Sequence, residues 1–173
     1  AHFGHDLAGR VVAVWGVAFK PGTDDVREAP AVTIIAHLLD RGATVRVHDP
    51  VAHETARALF GDRISYHEDL YEPLDGAHAL VVCTDWDEFK HPDFLRIRQH
   101  LAEPVLFDGR NLYKPDSMRR EGFTYYSVGR AAVVQGDGGA RRQDHGIQGL
   151  LQRSGGVGHQ RVRLDEPGPR VGH

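Results

Sequence analysis

Between residues 10 and 130, short apolar runs alternate with helical patterns, and this alternation constrains the fold more than any other property of the chain. Strand candidates lie at 11–16, 43–49, 64–67, 79–84, 104–108 and 124–128. The runs ALVVCT at 79–84 and PVLFD at 104–108 are short and mostly apolar, as strands covered on both faces should be. Helical patterns fill the gaps at 30–41, 52–60, 69–75, 88–101 and 114–121. In 30–41, residues Ala31, Ile34, Ile35, Leu38 and Leu39 share a face, Pro30 suits the first turn and Gly42 the end. The spacing predicts an α/β domain: a Rossmann-like, doubly wound, mainly parallel sheet of about six strands, with helices on both faces and right-handed crossovers.

In such a fold the turn after the first strand sits at the carboxyl edge of the sheet, where ligands bind. Here that turn reads GVAFKPGTDDVREAP over 16–30. A dinucleotide-binding turn carries several glycines so that the backbone can approach a pyrophosphate. Only Gly16 fits that template; Phe19, Lys20, Asp24, Asp25 and Arg27 follow. Side-chain charge replaces bare backbone, which points to an anionic ligand held by Lys and Arg. Asp49 ends the second strand, where a dinucleotide fold places its ribose-binding acid. Without a glycine fingerprint upstream, Asp49-Pro50 reads instead as a turn.

A formal charge of −3 makes no electrostatic case for nucleic acid or an anionic membrane surface. No apolar run approaches the roughly 18–20 residues that span a bilayer, and no basic-then-apolar leader is visible. A cytoplasmic protein is the expectation. The single cysteine, Cys83, excludes an intramolecular disulfide and a multi-cysteine metal site. Lying inside an apolar strand, it reads as a buried, inert thiol. His2 and His5 are weak metal evidence, no histidine combination has structural-zinc spacing, and no metal is expected. The chain starts at Ala1, close to the first strand, so it reads as part of a longer polypeptide, with 1–9 the end of an interdomain linker.

After Arg130 the texture changes. Residues 131–173 hold ten of the twenty glycines and no Phe, Tyr, Trp or Lys. So few large apolar groups cannot offset the entropy of ordering the segment, and a disordered tail is expected. Its wording is also that of out-of-frame translation of GC-rich coding sequence, and both readings stay open.

The phrases VAVWGVAFKPGTDDVREAP, ALVVCTDWDEF, LFDGRN and YYSVGR, in that order and spacing, resemble the nucleotide-sugar 6-dehydrogenase family. The resemblance covers residues 7–130 and is confined to the family's carboxy-terminal, UDP-binding domain; its wording leans toward the UDP-glucose branch. It implies a parent enzyme that oxidises the sugar C6 alcohol to a carboxylate in two NAD-dependent steps through a thiohemiacetal on a cysteine. The NAD domain and the nucleophile of such an enzyme would lie outside this chain. No residue here is therefore assigned a catalytic role, and the fragment alone is expected to be inactive. A dimeric parent is also implied.

Site residues follow from the same resemblance. Phe19 and Lys20 match the family's Phe-Lys pair that contacts the UDP-sugar, Lys20 neutralising phosphate or bonding the sugar. Arg110, in FDGRN, matches an arginine that binds the nucleotide-sugar. Arg27 matches an arginine that reaches across the interdomain cleft to NAD, and a guanidinium fork suits phosphate or ribose oxygens. The plainer alternatives are a solvated Lys20 with a core Phe19, an Arg27 paired with Asp24 or Asp25, and a salt-bridged Arg110. Trp86 and Phe89 read as packing for the following helix. Competing functions are a dehydrogenase of UDP-N-acetyl-mannosamine, UDP-N-acetyl-glucosamine or GDP-mannose, a noncatalytic nucleotide-binding module, and a complete small NAD-dependent oxidoreductase. The missing glycine fingerprint argues against the last.

Overall fold

The computed structural model describes residues 2–135 and Leu151. Its strands are β1 Val11–Trp15, β2 Thr44–His48, β3 Ser65–Tyr66, β4 Ala79–Val82, β5 Val105–Asp108 and β6 Thr124–Ser127. They form one parallel sheet in the order β3-β2-β1-β4-β5-β6. The helices are α1 Pro30–Asp40, α2 His53–Phe60, α3 Asp87–Lys90, α4 Phe94–His100 and α5 Pro115–Arg120. From β1 the chain builds outward on one side through β2 and β3, then returns to place β4 on the other side. The carboxyl ends of β1 and β4 therefore flank the crevice at the topological switch point.

Side chains alternate across the sheet, so each buried strand feeds two cores. Val12, Val14, Val45, Val47 and Val81 pack with Ile34, Ile35 and Leu38 of α1 and with Ala56 and Phe60 of α2. Ala13, Trp15, Leu80, Val82 and Leu106 pack with Phe89, Ile97 and Met118 of α3, α4 and α5. Each aliphatic side chain fully removed from water contributes about 1.5–3 kcal/mol of transfer free energy, and α1 alone buries Ile34, Ile35 and Leu38. Phe89 is fully buried and stacks on Trp15 with ring centroids 5.2 Å apart, while Trp86 is partly buried against both cores. Leu7 is also buried, and its N–H donates to the Arg41 carbonyl at 2.8 Å, pinning the leading segment to the turn after α1.

Three expectations are refined. The helix expected over 88–101 is two helices, because Pro92 has no N–H to donate and its ring obstructs the preceding turn. Asp93 restarts the chain as the N-cap of α4, accepting from the Arg96 N–H at 3.0 Å. The pattern at 69–75 is a single 3-10 turn, Glu72–Leu74.

The third refinement concerns the boundary placed at Arg130. The fold continues through Gln135: Val133 forms an antiparallel bridge with Tyr125 through bonds of 2.7 and 2.9 Å and is buried. Its cause is the edge position of β6, whose outward backbone groups need partners once buried. The Gln135 N–H adds a bond to Thr124 Oγ1 at 3.2 Å. The disordered-tail expectation for 136–173 falls, apart from Leu151, outside the described residues. Leu151 is buried in the α1-side core.

Candidate functional site

The loop between β1 and α1 leaves the sheet at Gly16, which has φ +88°. A Cβ on Gly16 would lie 2.5 Å from Thr84 Cβ, so only glycine allows the turn to pass the end of β4 this closely. The next two peptide units are held from both sides. Asp49, buried after β2, accepts from the Val17 N–H at 2.7 Å and the Ala18 N–H at 3.1 Å through Oδ2. Its other oxygen accepts from the Val51 and Ala52 N–H groups at 3.0 and 2.8 Å. On the far side, the buried Thr84 hydroxyl donates to the Ala18 carbonyl at 2.8 Å. Asp49 thus has both oxygens committed to backbone and is a turn former, as its Asp-Pro context suggests.

This bracing changes what the loop can bind. In a glycine-rich dinucleotide loop the backbone N–H groups face phosphate; here those of Val17 and Ala18 face Asp49. The residues present do not fit a pyrophosphate bound by this backbone. What the loop offers is its next two side chains. Phe19 is half exposed, although its N–H is tied to the Asp25 carbonyl at 2.7 Å. Lys20 is exposed, and among the described residues its ammonium makes no hydrogen bond or ion pair.

Arg27 lies differently. Its guanidinium forks onto Asp25, Nε to Oδ1 at 3.0 Å and Nη2 to Oδ2 at 2.8 Å, and its N–H also donates to Oδ1 at 2.9 Å. The side-chain hydrogen bond from Arg27 lowers the Asp25 carboxyl to about 2. The fork is exposed, so solvent screens it and Arg27 can exchange Asp25 for another anion at little cost.

On the other flank, the loop after β5 is organised by its own last residue. Asp108, completely buried, accepts from the Arg110 N–H at 3.0 Å, the Tyr113 N–H at 3.0 Å and the Tyr125 hydroxyl at 2.7 Å. Asn111, at φ +54°, closes the loop against β6: it donates to the Val128 carbonyl and accepts the Val128 N–H. Arg110 is thereby set above the sheet edge, with Nη2 3.0 Å from Asp85 Oδ1 at the end of β4. Gly109 keeps the backbone close to β4, with its N–H on the Val82 carbonyl at 2.8 Å, and a Cβ there would press within 2.9 Å of that same oxygen.

Phe19 and Lys20 follow β1, Asp85 follows β4, and Arg110 follows β5, so these groups stand along three adjacent strand ends. Cys83 lies beside them but is buried, and burial pushes its thiol up to about 12; it is no nucleophile at neutral pH. Reading the sequence missed the bracing roles of Asp49, Thr84 and Asp108 and the pairing of Asp85 with Arg110. An acid at or just past the end of a strand was the visible signal for Asp49 and Asp108. Thr84 had no local signal, since its partner is 66 residues away.

Residues 13–115 match the family model described as the UDP-glucose/GDP-mannose dehydrogenase family, UDP binding domain. A UDP-glucose 6-dehydrogenase of Pseudomonas aeruginosa is 47% identical over 127 residues, covering 70% of this chain and 28% of the relative. Among solved structures, a UDP-glucose dehydrogenase from Pyrobaculum islandicum aligns with TM-score 0.58 and 41% identity, over 69% of this chain and 25% of that one. An NDP-N-acetyl-D-galactosaminuronic acid dehydrogenase from Methanosarcina mazei aligns with TM-score 0.63 and 30% identity, over 75% and 26%. The chain spans less than a third of the length of each of these relatives.

Proposed function

Because the chain belongs to the UDP-glucose/GDP-mannose dehydrogenase family and carries its UDP-binding domain, we propose that it grips the UDP part of a nucleotide-sugar at the carboxyl edge of the sheet. Lys20 supplies charge to the diphosphate, Phe19 packs against the ligand, and Arg110 contacts the nucleotide-sugar after loosening its hold on Asp85. The observation that carries this reading is Lys20, a cation on a braced loop at the switch point, with no ion-pair partner among the described residues.

The parent enzyme, in this reading, is an NAD-dependent, cytoplasmic, dimeric UDP-glucose 6-dehydrogenase that converts UDP-glucose to UDP-glucuronate. NAD supplies the oxidising chemistry when bound, held mainly by residues outside this chain, with Arg27 turning from Asp25 toward it. Here the chain acts as a clamp. Binding energy from the UDP moiety, remote from the reacting C6, positions the hydroxymethyl group for oxidation. No helix among the described residues is long and apolar enough to cross a membrane.

Calorimetric titration of the chain tests the clamp: UDP and UDP-glucose are expected to bind, and NAD alone is not. Absence of heat with every uridine and guanosine nucleotide-sugar at millimolar concentration overturns it. A second reading, a dehydrogenase of an N-acetylated nucleotide-sugar, draws support from the Methanosarcina relative. Turnover of UDP-N-acetyl sugars in preference to UDP-glucose by the parent enzyme would establish it.

A further inference from the structure

The peptide units of Val17 and Ala18 are gripped by two side chains that arrive from different strands. Asp49, at the end of β2, takes both N–H groups, and Thr84, at the end of β4, donates to the Ala18 carbonyl. Both side chains are almost completely buried, at 1% and 0% exposure, so these bonds are shielded from competing water. The grip falls immediately before Phe19 and Lys20, which are exposed. Beyond them the loop is held by the Phe19 N–H on the Asp25 carbonyl and by Val26, which is buried in the α1-side core, while Thr23, Asp25 and Arg27 bond locally. The conformation at 17–18 therefore sets where the backbone that carries Phe19 and Lys20 emerges.

We propose that Asp49 and Thr84 are positioning residues for ligand binding: together they fix the 17–18 turn so that Lys20 meets the diphosphate without a search. This rests on the clamp reading above. Neither side chain touches ligand. Asp49 has committed both oxygens, each to two backbone N–H groups, and Thr84 is enclosed against Gly16. Their contribution is preorganisation, in which a loop already in its bound shape loses less conformational freedom on binding. The arrangement has a chemical requirement that asparagine does not meet. A carboxylate accepts on both oxygens, whereas an amide turns one into an NH2 group that faces N–H donors.

The test is a double-mutant cycle read with UDP as the probe, on the whole chain. Asp49→Asn is expected to weaken UDP binding about tenfold in the parent sequence, but about threefold or less when Lys20 is already alanine, because the turn acts mainly through Lys20 and to a lesser degree through the neighbouring Phe19. Thr84→Val keeps the side-chain shape and removes one bond; it is expected to cost about threefold with the same dependence on Lys20. Equal losses in both backgrounds mean general destabilisation and overturn the proposal. Amide hydrogen exchange without ligand supplies an independent readout. Exchange at Val17 and Ala18 is expected to quicken at least about tenfold in either variant while Val12 through Trp15 stay slow. Unchanged loop exchange overturns the proposal whatever UDP does. If the unaltered chain ignores UDP, the clamp reading falls and the positioning role falls with it, while the exchange data still report whether the grip exists. Should Asp49→Asn fail to fold, Thr84→Val carries the same decision.

Discussion

The two loops that flank the candidate site, one after β1 and one after β5, are built on the same device and used differently. Each is ordered by a buried aspartate that collects backbone N–H groups. In the first loop the aspartate is Asp49, just after the neighbouring strand β2 and more than thirty residues away in sequence. In the second it is Asp108, the last residue of the strand that the loop leaves. The cations differ as well: Lys20 stands without an ion-pair partner among the described residues, whereas Arg110 already holds Asp85 at 3.0 Å. A group braced from outside can be left open to a ligand, because its loop does not depend on what the side chain does. A group that shares its local network must exchange one partner for another.

The sharpest way to break this contrast is to remove Asp108. Asp108→Ala strands the buried Tyr113 N–H, removes the acceptor of the Arg110 N–H and leaves the Tyr125 hydroxyl only the Tyr113 carbonyl, a loss of about 2–4 kcal/mol at roughly 1–3 kcal/mol per orphaned donor. Urea unfolding should register it directly, and a loss below about 1 kcal/mol would show that the second loop does not rest on this carboxylate.

Next in size is Lys20→Ala, expected to weaken UDP binding about ten- to thirtyfold, the scale of one charge-assisted contact, with no change in the urea midpoint. A shifted midpoint would mean that Lys20 supports the fold and that the loops are less distinct than drawn. Smaller again is Asp85→Asn. Freeing Arg110 from its pre-existing partner should tighten UDP binding about two- to threefold in calorimetry, as expected for a partly exposed pair. Weaker binding would make Asp85 an orienting partner and not a competitor.

The smallest effect concerns Arg27 and Asp25. Asp25 is depressed from 3.8 to about 2 by the Arg27 hydrogen bond, so the stabilisation is complete above the ordinary value and is lost as pH falls through about 2. Between pH 5 and 8 the fork does not titrate. An NMR titration should place the Asp25 carboxyl near 2 and return it toward 3.8 in Arg27→Ala. No change in that variant would detach Arg27 from Asp25.

The parts of the fold that depend on local pattern were legible in the residues. Val11 to Trp15, the α1 face of Ile34, Ile35 and Leu38, and the apolar β4 and β5 runs declare themselves by periodicity and burial. What stayed hidden depends on contacts across the sequence. Pro92 was visible, but the apolar spacing on either side of it still read as one helix. Val133 sits in a glycine-rich stretch whose composition argues for disorder, and only the open edge of β6 explains its ordering. Asp49 showed itself as an acid at a strand end, yet its four N–H partners come together only once β1 and β2 are paired. The candidate site residues Phe19, Lys20 and Arg110 were nameable because the phrases that hold them resemble a known family, while the strand order accounts only for their place at the sheet edge. Asp85 was not, since its significance depends on where Arg110 points.

The bridge between Tyr125 and Val133 has a practical consequence for anyone shortening this protein. A chain cut after Arg130 would leave the rim of β6 able to accept a strand from a second copy, a route to self-association, whereas one cut after Gln135 would keep that rim occupied. The five residues from Ala131 to Gln135 would then separate a well-behaved sample from one that scatters light.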